Sequence, residues 1–132
     1  MTEAATLAKL SAMGTVFTVA DVSASLAFYK DVLGFTVEFE HDDPPIYAIV
    51  RRGAAQLHLR IVGDDEESKI ARGRSTLYVF TDDVDALHAE LAAKGCVVEG
   101  PPQTYSYGMR EMVLRDLDGN RLVFGADAPG SR

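Results

Sequence analysis

Along this 132-residue chain the spacing of apolar positions passes from strand-like to helix-like and back, and then repeats the sequence of changes. Thr15, Val16, Phe17, Thr18 and Val19 form a β-branched and aromatic run that predicts a buried strand. Val22, Leu26, Tyr29 and Leu33 then recur at helical spacing, with Phe28 and Val32 widening the stripe. Asp21 or Ser23 can cap this helix, and Gly34 closes it. Strands are predicted over Phe35–Glu40, over Ile46–Arg51 after the Pro44-Pro45 break, and over Ala54–Val62 after Gly53. Residues 1–12 read as a loose lead-in or a short helical turn. The resulting order is β-α-β-β-β.

Gly63–Gly73, with its acidic run Asp64-Asp65-Glu66-Glu67, reads as a solvated connection. The pattern then restarts. Ser75–Thr81 is a predicted strand, and Asp83 can cap a helix with Val84, Leu87 and Leu91 on one face, ended by Gly95. Val97–Glu99 predicts a short strand, followed by a Pro101-Pro102 loop. Met109–Arg115 and Arg121–Phe124 flank Asp118-Gly119-Asn120 and predict a β-hairpin. On its arms Met112, Leu114, Leu122 and Phe124 share the parity that packs on a helix, while Glu111, Val113, Arg115, Arg121 and Val123 take the other face. Val19-Ala20-Asp21-Val22 lines up with Thr81-Asp82-Asp83-Val84, and Leu33-Gly34-Phe35 with Lys94-Gly95-Cys96. These pairs define an internal repeat of roughly 60 residues, too short for either half to bury a good core alone. The expected organisation is one domain, 1–132, with module one at about 13–62, the connection at 63–73 and module two at about 74–125.

Two strings carry a resemblance. Asp21-Val22-x-x-Ser25-Leu26-x-Phe28-Tyr29-x-x-Val32-Leu33-Gly34-Phe35 is similar to the first-helix signature of the vicinal oxygen chelate superfamily, the glyoxalase, bleomycin-resistance and dioxygenase group. Tyr107-Gly108-Met109-Arg110-Glu111, followed by Asp116-Leu117-Asp118-Gly119-Asn120, resembles its last hairpin as found in the metal-free bleomycin-resistance-like branch. Leu117 stands where that pattern usually has proline, which pre-sets the turn but is not required for it. The resemblance implies an α+β fold of two tandem βαβββ modules forming a curved mixed β-sheet cup, with the helices outside.

Catalytic relatives place His and Glu metal ligands at positions that correspond here to Gly14, Gln56, Thr76 and Val123. Two of these have no donor atom, and hard divalent ions need oxygen or imidazole ligands. The reading is therefore of no metal and no cofactor, with His58 on the cup face beside Gln56, His41 at the surface and His88 beside an apolar stripe. The cup is left with an amphipathic set, from which Phe39, Tyr47, His58, Tyr78, Tyr105, Tyr107, Arg110 and Glu111 are the candidate ligand-binding residues. Arg110 and Glu111 are adjacent, and either pair with each other or leave Glu111 to meet a cationic group.

Composition narrows the partners further. Thirteen Lys and Arg against twenty Asp and Glu leave a net charge of −7 and no basic cluster, which argues against nucleic acid and favours a cationic ligand. No apolar run approaches a membrane span, and the first residues lack an export signal, so a cytoplasmic location is expected. Cys96 is the single cysteine and cannot form an intramolecular disulfide. The expected function is metal-independent binding of a small amphipathic or cationic aromatic molecule by a homodimer, with antibiotic sequestration as the role the resemblance implies. The alternative is a glyoxalase-like lyase, isomerase or dioxygenase with an atypical metal site.

Overall fold

The computed structural model describes residues 6–130. Residues 6–14 have no regular structure, and the lead-in expected at 1–5 lies outside the described residues. The chain then runs β1 (Thr15–Val19), α1 (Val22–Ala27) continued by a π-helical turn (Phe28–Val32), β2 (Thr36–His41), β3 (Tyr47–Arg52) and β4 (Ala55–Ile61). After α2 (Glu66–Ala71) come β5 (Thr76–Phe80), α3 (Val84–Ala93), β6 (Gln103–Thr104), β7 (Met109–Arg115) and β8 (Arg121–Asp127). The strands form two four-stranded mixed sheets, ordered β1-β4-β3-β2 and β5-β8-β7-β6. In each, the first strand pairs in parallel with the last and the remaining pairs are antiparallel. The fold is α+β, two tandem βαβββ modules.

Asp21 and Asp83 cap the two long helices, each carboxylate accepting from the backbone N–H three residues on, at 3.1 and 2.9 Å. Thirteen positions separate Asp21 from Gly34, but only twelve separate Asp83 from Gly95. The π-helical turn at Phe28–Val32 absorbs the extra residue, widening one turn so that both helices still end on a glycine at positive φ, 74° and 76°.

The structure departs from the sequence expectation in two places. The connection at 63–73 contains α2, because Asp65 accepts from Ser68 N at 2.9 Å while Glu66 and Glu67 sit at the positive end of the helix. In module two, Val97–Glu99 is not a regular strand. Val98 only bridges Leu114, Glu99 N donates to Val113 O, and the short β6 forms beyond Pro101-Pro102, where a loop was expected. Neither proline can donate to the ladder, so they divide what would otherwise be a longer edge strand.

Alternate strand residues Phe17, Val19, Val50, Leu57 and Leu59 of the first sheet, and Met112, Leu114, Leu122 and Phe124 of the second, join one apolar core with Val22, Leu26, Tyr29 and Leu33 of the first helical segment and Val84 and Leu91 of α3. The opposite sheet faces carry no helix. The modules are also tied together by a buried polar network. Tyr29 Oη donates to Asp116 Oδ2 at 2.9 Å, and Asn120 Nδ2 donates to the same carboxylate at 3.1 Å and to Thr18 O at 3.3 Å. Ser75 N donates to Asn120 Oδ1, and Ala20 N to Asp118 Oδ1. The β7–β8 turn therefore joins the ends of β1 and the start of β5, and no buried side-chain polar atom among the described residues lacks a partner.

Candidate functional site

On the helix-free face of the second sheet, Glu111 of β7 lies opposite Gly125 of β8, and Tyr78 of β5 lies opposite Val123. Tyr78 crosses β8 to reach Glu111, donating to Oε2 at 2.6 Å, and Tyr107 donates to Oε1 at 2.6 Å. The crossing needs a strand residue without a side chain: a Cβ on Gly125 would collide with Tyr78 Oη. Both bonds are charge-assisted and short. Burial, then the bond to Glu111, raises the Tyr78 ionisation well above its ordinary value. The bond to Glu111, more than burial, pushes Tyr107 up to about 12. Tyr105 and Tyr107 stack with ring centroids 5.4 Å apart and planes 7° from parallel, and Tyr78 leans on Phe80 at 5.0 Å. A carboxylate held by two phenols beside flat aromatic faces can accept a cation bearing an aromatic group.

The first sheet carries a polar chain on its own helix-free face. Tyr47 Oη lies 2.7 Å from His58 Nδ1, His58 Nε2 lies 3.3 Å from Gln56 Oε1, and Gln56 Nε2 donates to Glu38 Oε1 at 3.5 Å. Arg51 Nε donates to both Glu38 oxygens at 3.1 Å, so that carboxylate only accepts. With the Gln56 amide turned this way, His58 donates from Nε2 and accepts the Tyr47 hydroxyl at Nδ1. Glu38 follows the core-side Val37 onto this face, and the bulge between Val37 and Phe39 breaks the alternation so that Phe39 shares the face with it. Phe39 is 47% exposed there and stacks on His41 at 6.4 Å. A cleft of about 320 Å³ lies between the two clusters, lined by Gly14, Thr15 and Gln56 on one side and Tyr78 and Phe80 on the other.

Of the eight residues expected at the site, Phe39, Tyr47 and His58 thus gather on the first sheet, and Tyr78, Tyr105, Tyr107 and Glu111 on the second or its adjoining loop. Arg110 does not join them. It pairs with Ala126, on the core side of the sheet, and its guanidinium binds both oxygens of Asp85 on α3 at 2.8 and 2.9 Å and Thr104 Oγ1 at 3.1 Å. Neighbouring strand residues point to opposite faces, so an Arg110–Glu111 ion pair does not form. Bonded to Asp85 instead, the Arg110 guanidinium holds that carboxyl below its usual range. Sequence reading missed Glu38 and Gly125. A glycine inside the strand Phe124-Gly125-Ala126 is the signal for the second, whereas the bulge that lets Glu38 share a face with Phe39 has no local signature.

At the four positions where catalytic relatives hold a metal, the donor set does not fit one. Gly14 and Val123 offer no donor, and a Cβ at Gly14 would stand 2.7 Å from Gln56 Oε1, whose lone pair already faces His58. No group of three or more His, Cys, Asp or Glu converges among the described residues.

Two βαβββ modules with a cleft between helix-free sheet faces define a class of small-molecule proteins whose chemistry differs from member to member. The chain belongs to the Glyoxalase/Bleomycin resistance protein/Dioxygenase superfamily, whose profile matches residues 11–124. Among solved structures it is similar to the bleomycin-binding protein from bleomycin-producing Streptomyces verticillus complexed with copper(II)-bleomycin, with 28% identity, a TM-score of 0.75, and 92% of this chain and 100% of that one covered. TioX from Micromonospora sp. ML1 is 22% identical, with a TM-score of 0.75 over 89% of this chain and 99% of that one. A glyoxalase/bleomycin resistance protein/dioxygenase from Nocardioides is 20% identical, with a TM-score of 0.72 over 95% and 88%. A comparison with curated proteins gave no match. No helix among the described residues is long and apolar enough to cross a membrane.

Proposed function

We propose that the chain binds a small amphipathic molecule carrying a positive charge and a flat aromatic group, of the antibiotic kind, and sequesters it without a metal. The observation that carries this reading is the Glu111 carboxylate gripped by Tyr78 and Tyr107 next to the stacked Tyr105–Tyr107 pair. The net charge of −7 draws a cation toward it. The likeness to a bleomycin-binding protein supports the ligand class.

The helix-free faces of one chain leave Phe80 77% and Phe39 47% exposed. A second copy of the chain, related by a two-fold axis, completes and covers the cleft in this proposal. The protein acts in the cytoplasm as a homodimer. Light scattering at micromolar concentration reads a dimer if this is right and a monomer if it is not.

Calorimetry with cationic aromatic antibiotics, bleomycin among them, tests the ligand. Tyr107→Ala is expected to weaken binding several-fold, a ring contact being worth on the order of 1 kcal/mol beyond its area. Glu111→Gln is expected to weaken it most at low salt, since screening removes part of the attraction otherwise. Elemental analysis reads no stoichiometric divalent ion. The second reading, a glyoxalase-like lyase or related enzyme, rests on His58, an imidazole that Tyr47 and Gln56 orient on the helix-free face, where it can exchange a proton with a bound substrate. Turnover of a methylglyoxal–glutathione adduct that is unaffected by Tyr107→Ala and lost in His58→Ala would replace sequestration with catalysis.

A further inference from the structure

The internal repeat fills its two module junctions differently. Eight positions after its helix cap, the first module has Tyr29, fully buried, edge-on to Phe28 and Phe35 at 5.5 Å and hydrogen-bonded to Asp116 of the facing turn. Eight positions after Asp83, the second module has Leu91. The β3–β4 turn that faces α3 is held there by Arg52, which binds both oxygens of Glu90 at 2.7 and 2.9 Å and Leu33 O at 3.0 Å. Leucine has neither the length nor the ring of tyrosine, and the turn opposite it, Gly53-Ala54, leads into Ala55 at the start of β4. A recess of about 230 Å³ remains between them, walled by Leu33, Phe35, Val79, Leu87, Leu91 and Phe124. No buried polar side-chain atom is unpartnered among the described residues, so no buried side chain of this wall calls for a water. An apolar cavity of about 150 Å³ is enough to take up benzene.

We propose that this recess is a second small-molecule site and that it takes a neutral single-ring phenol. The ring supplies the apolar bulk that Tyr29 supplies at the other junction, and the hydroxyl lies toward the Arg52 side of the recess, where Glu90, bound to that guanidinium just beyond the lining, is the nearest counterpart of Asp116. Arg52 keeps Glu90 ionised by direct hydrogen bonding, which holds that carboxyl below its ordinary range. Val79, Phe80, Ala54 and Ala55 line both this recess and the cleft on the helix-free faces, and so form the partition between the two sites. The proposal does not rest on the ligand assigned to that cleft.

Titration of isotope-labelled protein with phenol, followed by amide chemical shifts and by melting temperature, tests the site. Saturable shifts are expected at Leu33, Leu87, Leu91 and Phe124, with a rise in melting temperature. Ala55→Leu fills the recess from the core face of β4, and Leu91→Tyr returns the ring that the other module has. Each is expected to weaken phenol binding at least tenfold. Tyr107→Ala is expected to leave phenol binding unchanged, which keeps this result distinct from failure at the cleft. Shifts that do not saturate, or that centre on Gln56 and Tyr78, overturn the proposal from the unsubstituted protein alone. So does undiminished binding in either folded filling variant.

Discussion

Gly125→Ala examines how the site is built. Tyr78 must pass over residue 125 to reach Glu111, and a Cβ there falls within 2.6 Å of Tyr78 Cζ and 3.1 Å of Cε1. The ring has to swing away, because it is the end of a part-exposed side chain and yields more readily than the strand. A hydrogen bond to a charged group contributes about 1.5–3 kcal/mol where water is excluded. Tyr78 is 37% exposed, so about 1 kcal/mol is the working figure for its loss. Replacing glycine by alanine offsets about 0.4–1 kcal/mol of this by restricting the unfolded chain. The net change is expected to be under about 1 kcal/mol, a melting shift of no more than a few degrees. The Tyr78 ionisation, by contrast, should fall clearly toward its ordinary value, because a ring that swings away loses both its burial and the bond to Glu111. Phenolate absorbance across an alkaline titration reads that change, with Tyr78→Phe identifying the group. An unmoved titration would refute the crossing geometry, and a melting loss of roughly 10 °C would mean that the backbone, and not the tyrosine, gives way.

The buried junction answers to Tyr29→Phe, which removes one of several donors to Asp116 and is expected to cost about 1.5 kcal/mol, or about 6 °C in melting temperature. Asp116→Ala leaves Tyr29 Oη and Asn120 Nδ2 without that acceptor and should cost at least twice as much by urea unfolding. At alkaline pH, Tyr29, Tyr78 and Tyr107 hold their protons above the value of 10.0 at which the unfolded chain releases them. Their contribution to stability is thus complete below pH 10 and is lost above it, for Tyr107 as pH rises toward about 12 and for Tyr29 and Tyr78 higher still, and Glu111→Gln should flatten that loss, chiefly through Tyr107. Arg110→Gln should leave antibiotic affinity unchanged, since Arg110 faces α3; a several-fold loss in calorimetry would return it to the site.

Local chemistry accounts for what could be read without coordinates. Asp21 and Asp83 act as caps through bonds to groups three residues away, and Gly34 and Gly95 end helices through their own φ, so each is visible within a few positions of sequence. The hairpin parity of Met112, Leu114, Leu122 and Phe124 follows from pleating alone, and all four are buried. The repeat predicted two modules because neither half can bury a core by itself. Tertiary structure decided what depends on partners distant in the chain. Arg110 and Glu111 are sequence neighbours, yet one answers to Asp85 and the other to Tyr78, because a pleat separates them and only the sheet register names their partners. The bulge at Val37–Phe39 put Glu38 and Phe39 together on His58's side of the sheet, which strict alternation does not allow. The same distinction separates the two junctions: Tyr29 and Leu91 hold matching places in the repeat, but whether such a place becomes a sealed polar network or an open apolar recess depends on the turn that folds against it, and that turn belongs to the other module.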